Sequence, residues 1–294
     1  MNNYTNLVSS YGPYTNTFND TSVNQKSIYV SINYLSEEKK FSAELGGRYN
    51  NHNRYGTNYT YTFNPSYAIA DNFRLFGSLA TSFKIPSLYQ LYSNSDGGNA
   101  NLQPEKSINY EIGYQASIKG FSDRLVYFYR DISNGLDYDY NSWQYFNYSG
   151  QKVHGVEYEF TLKPCKLITV KGNYTFISTK QSTESRLTNK DTTYSYTLHV
   201  PKHAANIIIA YQITSALYVS INGKYVSKRY DAVYSSADVV LDSYIIFGAS
   251  AQYVLNKNIK LFANGQNITN KKFIDIYGYN SIPALFNGGI TFNW

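Results

Sequence analysis

The sequence predicts an all-β protein, on three observations about periodicity, hydropathy and aromatic content. Over residues 108–118 apolar side chains alternate with polar ones, and this period of two indicates a half-buried strand rather than a helix. The mean hydropathy is −0.43, and no run approaches the roughly 18 apolar residues that a membrane-spanning helix needs. Aromatic residues make up 17% of the chain, with 33 Tyr, and such side chains suit membrane–water interfaces. These observations fit an antiparallel transmembrane β-barrel, in which only every second residue of a strand faces lipid, and also a soluble β-sandwich. The features that follow favour the barrel.

Strand-like segments follow one another along the chain, and the alternation predicts about thirteen of them. Many exceed the five or six residues that are usual in globular sheets, and tilted strands of about ten residues match a bilayer. No helical pattern of useful length is found. The strands are predicted near residues 27–36, 40–50, 59–69, 73–83, 105–118, 122–136, 144–163, 167–180, 203–213, 216–228, 241–254, 258–270 and 284–294.

The connections between these segments are predicted to alternate strictly between tight turns and longer polar segments. Tight turns are expected at residues 37–39, 70–72, 119–121, 164–166, 214–215 and 255–257. The longer segments are expected at residues 51–58, 84–104, 137–143, 181–202, 229–240 and 271–283. Outer-membrane barrels have short periplasmic turns and long extracellular loops, so this order favours the membrane interpretation.

Strand parity also predicts that the chain is part of a larger barrel. If the short turns are periplasmic, residues 1–26 form an extracellular loop and residues 27–294 supply the strands. An odd number of strands leaves two unpaired edges, which hydrocarbon does not tolerate. We therefore expect the C-terminal part of a barrel of about 22 strands, with the plug domain absent from this chain.

The segment from Phe73 to Tyr114 carries the most specific sequence pattern. It reads Thr81-Ser82-Phe83-Lys84-x-Pro86-Ser87-Leu88-x-Gln90-Leu91-Tyr92, then Asn101-Leu102-x-Pro104-Glu105-Lys106-Ser107, then Tyr110-Glu111-x-Gly113-Tyr114. In order and spacing, these residues resemble the signature of the TonB-dependent outer-membrane receptors. The resemblance makes eight residues family-motif positions: Phe83, Pro86, Leu102, Pro104, Glu105, Tyr110, Glu111 and Gly113. It implies a protein of the cell outer membrane that imports a large, scarce nutrient and contacts the TonB complex through a region N-terminal to this chain.

The C-terminal residues resemble the signal that such barrels present to the barrel assembly machinery. A polar residue, Asn287, is followed two positions later by Gly289, and the aromatic residues Phe292 and Trp294 end the chain at alternate positions. The family usually ends in Phe, and Trp294 keeps the aromatic character. Phe286, Gly288, Ile290, Phe292 and Trp294 are predicted to face lipid, with the residues between them facing inward.

Within the family, two stretches resemble the cobalamin receptors. One runs from Asn134 to Glu157 and the other from Lys271 to Tyr279. The resemblance places Tyr279 against the corrin of cobalamin, and an aromatic side chain suits a large amphipathic ligand. Further candidate ligand contacts are Tyr277, His199, Tyr92 and Tyr89, although relatives often carry Arg where His199 stands. An iron-siderophore is the alternative ligand within the same family.

Other functions lack their expected residues. Haem receptors carry a His between two boxes that resemble Phe83–Pro86 and residues 99–102, but no His stands between them here. No third ligand accompanies His199 and His203, so neither a metal site nor a cofactor is predicted. No nucleophile elbow or phosphate loop is found, so enzyme activity is not predicted either.

The net charge of +6 is spread along the chain without a basic block, so nucleic acid is not an expected partner. Exposed basic residues are instead expected to meet lipid phosphates at the outer-membrane surface. Two interpretations from other classes remain: a smaller, passive porin and a soluble, Tyr-rich β adhesin.

Overall fold

The computed structural model describes residues 9–11, 14–16, 22–139, 141–188, 190–233 and 236–293. Strands dominate this part of the chain, with a single five-residue helix, α1 (Leu88–Tyr92), among the described elements. The strands are β1 (Ser9–Tyr11), β2 (Tyr14–Asn16), β3 (Gln25–Leu35), β4 (Phe41–His52), β5 (Gly56–Ala70), β6 (Phe73–Lys84), β7 (Glu105–Ile118), β8 (Phe121–Asp139), β9 (Gln144–Cys165), β10 (Ile168–Glu184), β11 (Asp191–Tyr194), β12 (His203–Gln212), β13 (Leu217–Val226), β14 (Arg229–Asp231), β15 (Val239–Leu241), β16 (Tyr244–Asn256), β17 (Ile259–Gln266) and β18 (Leu285–Phe292).

One antiparallel sheet holds the long strands in sequence order. It runs β3 to β10 and then β12, β13, β16, β17 and β18, while β11 pairs with the end of β10. In the described residues β1–β2 and β14–β15 form separate hairpins, and the sheet is open between β3 and β18. The predicted all-β antiparallel fold is confirmed, and the thirteen predicted segments correspond to the thirteen strands along this path.

Most long strands have one mainly apolar and one mainly polar face, as the alternation predicts. On β7, Tyr110 is 45% exposed and Ile112 is 65% exposed. Their neighbours Asn109 and Glu111 lie on the opposite face, since successive strand residues point to opposite sides. The large exposed apolar side chains recur on the same face of the adjacent strands, so this face is a continuous apolar surface. Among the described helices, none is long and apolar enough to cross a membrane.

Cross-strand hydrogen bonds connect the polar face. The Glu44 carboxylate accepts from Ser31 Oγ at 3.1 Å and from Asn64 Nδ2 at 3.2 Å. Asn64 Oδ1 in turn accepts from Ser78 Oγ at 2.8 Å. Four neighbouring strands, β3 to β6, are thus joined side chain to side chain, and such pairs stabilise the sheet beyond its backbone ladder.

The predicted alternation of connection lengths is confirmed at one end of the sheet and wrong in part at the other. Turns of two to five residues join the strands at 36–40, 71–72, 119–120, 166–167, 213–216 and 257–258. At the opposite end, the predicted segments 51–58 and 137–143 are short as well, because the flanking strands continue through them and leave only 53–55 and 140–143. The polar residues Asn51 and Thr57 pair across β4 and β5, with Asn51 Nδ2 donating to Thr57 Oγ1 at 3.1 Å.

Several predicted boundaries also change. β9 continues to Cys165, one residue beyond Pro164, so the predicted turn moves to 166–167, and β17 ends at Gln266 instead of 270. The long connections contain structure of their own: α1 in 85–104, β11 in 185–202, and β14–β15 in 227–243.

The closing strand β18 has the predicted alternation. Phe286 and Phe292 are 67% and 58% exposed on the apolar face. Asn287 lies on the polar face, where its Oδ1 accepts from Asn264 Nδ2 at 3.0 Å. Gly289 shares that face and lies against the ring of Phe262. Trp294 lies outside the described residues.

Candidate ligand-binding site at the long-loop end

The end of the sheet that carries the long connections is called here the long-loop end. It comprises the connections 53–55, 85–104, 140–143, 185–202, 227–243 and 267–284. A chain of side-chain contacts joins these connections to one another, and four of the five candidate ligand residues take part in it.

The 85–104 loop is held by its short helix and by two buried leucines. Ser87 caps α1: its Oγ accepts from the Gln90 backbone N–H at 3.2 Å, and Gln90 Oε1 accepts from the Ser87 N–H at 2.9 Å. This reciprocal capping box satisfies two donors at the helix start. Leu91 and Leu102 are only 2% and 1% exposed, so the loop has a small apolar core of its own.

Neighbouring turns hold the 85–104 loop from both sides. From the 53–55 turn, Arg54 donates to Tyr92 Oη and to the Ala100 carbonyl oxygen, and Tyr55 Oη donates to the Leu102 carbonyl oxygen at 3.0 Å. From the other side, the Tyr145 N–H donates to the Gly97 carbonyl oxygen at 2.9 Å. The loop is therefore fixed to the β4–β5 and β8–β9 hairpins.

Gly97 is the point of closest approach in this arrangement. Its φ is +63°, and a Cβ added there would lie 1.6 Å from the Trp143 carbonyl oxygen. Only glycine fits both the left-handed backbone and the contact.

A second group of contacts joins 185–202 to 227–243. Arg186 Nη1 pairs with Asp238 Oδ2 at 2.5 Å, and Tyr196 Oη donates to the same oxygen at 2.7 Å. The Tyr196 ring stacks on Tyr230, with centroids 3.8 Å apart and planes 15° apart. Burial and the hydrogen bond to the Asp238 carboxylate raise the pKa of the Tyr196 phenol well above its usual range.

We expect Tyr196→Phe to lower the free energy of unfolding by about 2 kcal/mol, the usual contribution of a hydrogen bond to a charged group. The raised pKa means that this contribution is complete below the unfolded-state pKa of about 10 and is lost as the pH rises through the higher folded-state pKa. Thermal unfolding of the wild type and of Tyr196→Phe is measured from pH 7 to 11. The difference in their free energies of unfolding should be constant up to about pH 10 and smaller above that pH. A difference that already shrinks between pH 7 and 9 would contradict the assignment.

A third group of contacts centres on Asp231, whose side chain is 8% exposed. His199 Nε2 lies 2.7 Å from Asp231 Oδ1, and the Tyr277 N–H donates to Asp231 Oδ2 at 2.7 Å. Beside it, Arg229 Nη1 lies 2.6 Å from Asp275 Oδ1. Asp231 and Arg229 thus join the 227–243 connection to both the 185–202 and the 267–284 connections.

The five candidate ligand residues fall into two groups. Tyr89 and Tyr92 lie on α1, where Tyr89 donates to Asp96 and Tyr92 accepts from Arg54. His199 and Tyr277 are linked through Asp231. Tyr279, 71% exposed, projects from the 267–284 connection. The hydrogen bond from Asn141 Nδ2 to the Arg186 carbonyl oxygen links the β8–β9 hairpin, to which the 85–104 loop is fixed, to the connection that carries His199. A common role of the five residues in one ligand site stays a prediction.

The family-motif positions mainly build the frame of the site. Pro86, Leu102 and Pro104 are buried within the 85–104 loop. Glu105 Oε2 accepts from the Leu136 N–H at 3.3 Å. A Cβ on Gly113 would lie 2.4 Å from the Leu125 carbonyl oxygen.

Sequence reasoning missed the charged residues that connect the loops. Arg186 and Asp238 are separated by 52 positions, and Arg229 and Asp275 by 46. A single charged residue in a polar loop gives no sign of its partner. Among the described residues, no group of three or more His, Cys, Asp or Glu side chains is placed to hold a metal ion.

Comparison with known proteins finds one family model, described as TonB dependent receptor-like, beta-barrel, which matches residues 1–268. Three similar solved structures illustrate the fold. The siderophore receptor PiuA from Acinetobacter baumannii has a TM-score of 0.77 and 21% identity, covering 95% of this chain and 44% of that one. The ferric enterobactin receptor from Pseudomonas aeruginosa has a TM-score of 0.73 and 22% identity, covering 99% and 48%. The ferric-catecholate import receptor Fiu from Escherichia coli K12 has a TM-score of 0.74 and 17% identity, covering 92% and 44%.

At these identities the likeness concerns the fold alone. The chain spans less than half the length of each of the three structures.

Proposed function

Because this chain belongs to the TonB-dependent receptor β-barrel family, we propose that it forms part of the wall and the outer loops of a receptor that imports a ferric siderophore. The family consists of transport receptors of the outer membrane rather than enzymes. In this proposal the apolar face of the sheet contacts lipid, the polar face lines the barrel interior, and the long-loop end lies at the cell surface.

The observation that carries the proposal is the linked set of connections at the long-loop end. Loops that are tied together by Arg186, Arg229 and Asp231 can present a defined surface to a ligand rather than a set of independent segments. Tyr277 and Tyr279, 53% and 71% exposed, supply aromatic surface there. A ferric catecholate is aromatic, and ring stacking on exposed tyrosines suits such a ligand.

The choice of siderophore over cobalamin rests on the comparisons. The similar structures are named as receptors for siderophores, ferric enterobactin or ferric catecholates. The predicted cobalamin contact at Tyr279 has no support from them. An iron-siderophore, the alternative ligand predicted from the sequence, is therefore favoured over cobalamin.

We further propose that residues 27–294 are the C-terminal strands of a larger barrel, with residues 1–26 in an outer loop. The open edges at β3 and β18 support this, since strand edges must be paired in hydrocarbon. The plug, the contact to TonB and the first strands would come from other parts of the receptor. We expect that this chain alone does not transport.

The test is a binding measurement on the full-length receptor with a ferric tricatecholate and with cyanocobalamin. We expect a submicromolar Kd for the ferric ligand and no binding of cyanocobalamin. Tyr279→Ala should weaken ferric-ligand binding about three- to tenfold through loss of ring contact, while Tyr253→Ala, at the opposite end of the sheet, should leave it unchanged. Tight binding of cyanocobalamin alone would restore the cobalamin interpretation, and binding of neither would reject the proposed function.

A further inference from the structure

The long-loop end of the β4–β5 hairpin contains a buried histidine with one unpaired ring nitrogen. His52, the last residue of β4, is only 2% exposed. Its Nε2 is buried and has no hydrogen-bond partner among the described residues. Burying a polar atom without a partner costs free energy. This nitrogen therefore needs a partner that the described part of the chain does not supply.

The 53–55 turn determines which nitrogen of the His52 ring carries the proton. The backbone N–H groups of Arg54 and Tyr55 both donate to His52 Nδ1, with nitrogen–nitrogen distances of 3.2 Å and 3.4 Å. A ring nitrogen that accepts hydrogen bonds carries no proton, so in the neutral imidazole the proton lies on Nε2. The unpaired atom of His52 is therefore a donor, and its partner must be an acceptor.

A second unpaired atom lies on the same face of the sheet, on the neighbouring strand. Asn58 on β5 lies directly opposite Asn50, which precedes His52 by two residues on β4, so Asn58 and His52 are diagonal neighbours on the polar face. Asn58 Oδ1 is buried and unpaired among the described residues, whereas Asn50 Oδ1 accepts from Gln25 Nε2 at 3.2 Å. His52 and Asn58 thus present one donor and one acceptor that do not bond to each other.

The geometry of the hairpin leaves room for a small molecule between these two side chains. Gly56 is directly opposite His52, and a Cβ added to Gly56 would have no atom within 4 Å. Diagonal neighbours on adjacent strands have Cα atoms about 7–8 Å apart. A water molecule that lies about 2.9 Å from each of two atoms joins atoms up to roughly 6 Å apart, which is within the reach of these side chains.

We propose that one buried water molecule bridges His52 and Asn58, accepting from the Nε2–H group and donating to Oδ1. Water supplies an acceptor and a donor at once, as this pair of atoms requires. A metal ion does not fit, because Nε2 carries the proton while Nδ1 accepts from the turn, and the described residues place no group of three metal-ligating side chains here. An anion does not fit either, since Asn58 Oδ1 is itself an acceptor.

The bridging water would stabilise the contact between the β4–β5 hairpin and the 85–104 loop. The His52 ring stacks on Tyr55, with centroids 5.3 Å apart and planes 29° apart. Tyr55 Oη in turn donates to the Leu102 carbonyl oxygen at 3.0 Å. A water that holds the imidazole in place therefore also holds the tyrosine that joins the two segments. This inference does not depend on the identity of the transported ligand.

The test is a crystal structure of the full-length receptor at a resolution that shows ordered water, together with hydrogen exchange of the Tyr55 amide. The variant is Asn58→Leu, which removes the acceptor at similar volume and leaves the residues of the turn unchanged. The matched control is Asn51→Leu, the same substitution at an exposed asparagine that bonds directly to Thr57.

We expect a density peak about 2.7–3.2 Å from both His52 Nε2 and Asn58 Oδ1 in the wild type and in Asn51→Leu. In Asn58→Leu the peak should be lost, and the Tyr55 amide should exchange about tenfold faster because its acceptor ring is held by one hydrogen bond fewer. The proposal is overturned by a wild-type structure without this peak, with an anomalous metal signal at the peak, or with another residue of the receptor bonded to His52 Nε2. Unchanged Tyr55 exchange in Asn58→Leu would also overturn it, and the wild-type density decides if that variant does not fold.

Discussion

Replacing Gly97 by Ala is expected to detach the 85–104 loop from the β8–β9 hairpin. The added Cβ would lie 1.6 Å from the Trp143 carbonyl oxygen and 2.6 Å from the carbonyl carbon. Both are backbone atoms, so relief requires a shift of the hairpin or of the loop. The hydrogen bond from the Tyr145 N–H to the Gly97 carbonyl oxygen should be lost, and ligand affinity of the full-length receptor should fall at least tenfold because loop preorganisation is lost.

Gly278→Ala is the control for hydrogen exchange of the Tyr145 amide and not for ligand affinity, because Gly278 lies between the candidate ligand residues Tyr277 and Tyr279. Gly278 has a comparable φ of +83°, but a Cβ there would have no atom within 4 Å. It therefore reports the cost of the left-handed backbone, roughly 1 kcal/mol, without the clash. Hydrogen exchange of the Tyr145 amide, measured in both variants, separates the clash from the backbone strain. Faster exchange is expected in Gly97→Ala alone. Equal exchange in both variants would show that the contact at Trp143 does not disturb the hydrogen bond between Tyr145 and Gly97.

The second large effect is expected for Asp231→Ala, which removes the acceptor shared by His199 and the Tyr277 amide. Asp231 is buried, and loss of one partner from a buried charged contact typically costs about 3–5 kcal/mol. His199 is half-exposed and can be solvated, so the lower end of that range applies. The released Tyr277 amide should exchange with solvent about a hundredfold faster, because it loses its acceptor, while the Arg229–Asp275 contact still joins the two connections.

Asp242→Ala is the control for this second prediction, since Asp242 is an exposed carboxylate on the same 227–243 connection. It should leave Tyr277 exchange unchanged. Asp231→Asn, which keeps an acceptor oxygen but loses the charge, should give an intermediate rate. Protection of the Tyr277 amide in Asp231→Ala would show that other contacts hold these loops together.

The strands were predictable where period-two alternation is uninterrupted. β7 was predicted at 105–118 and spans those residues, since Ile and Tyr alternate there with polar side chains. Residues 51–58 were predicted as a loop because they are almost entirely polar. All but 53–55 form the ends of β4 and β5, since a polar strand pair is stable where its side chains bond to each other, as Asn51 and Thr57 do.

The candidate site was predictable only in part. Tyr277 and Tyr279 were singled out through the resemblance of residues 271–279 to the cobalamin receptors, and both side chains are exposed. His199 was singled out as a ligand contact, but the structure ties it to Asp231, and it has a positive φ of 62°. Such pairing depends on the three-dimensional proximity of two loops, which local sequence does not encode.

The length of the β8–β9 hairpin bears on how far the proposed receptor would extend from the membrane. β9 spans 22 residues, which at about 3.3 Å per residue corresponds to roughly 70 Å of strand. A bilayer needs only about ten tilted residues of a strand. In the orientation proposed above, about half of β9 would extend beyond the lipid, with residues 141–143 near the outer end of the hairpin.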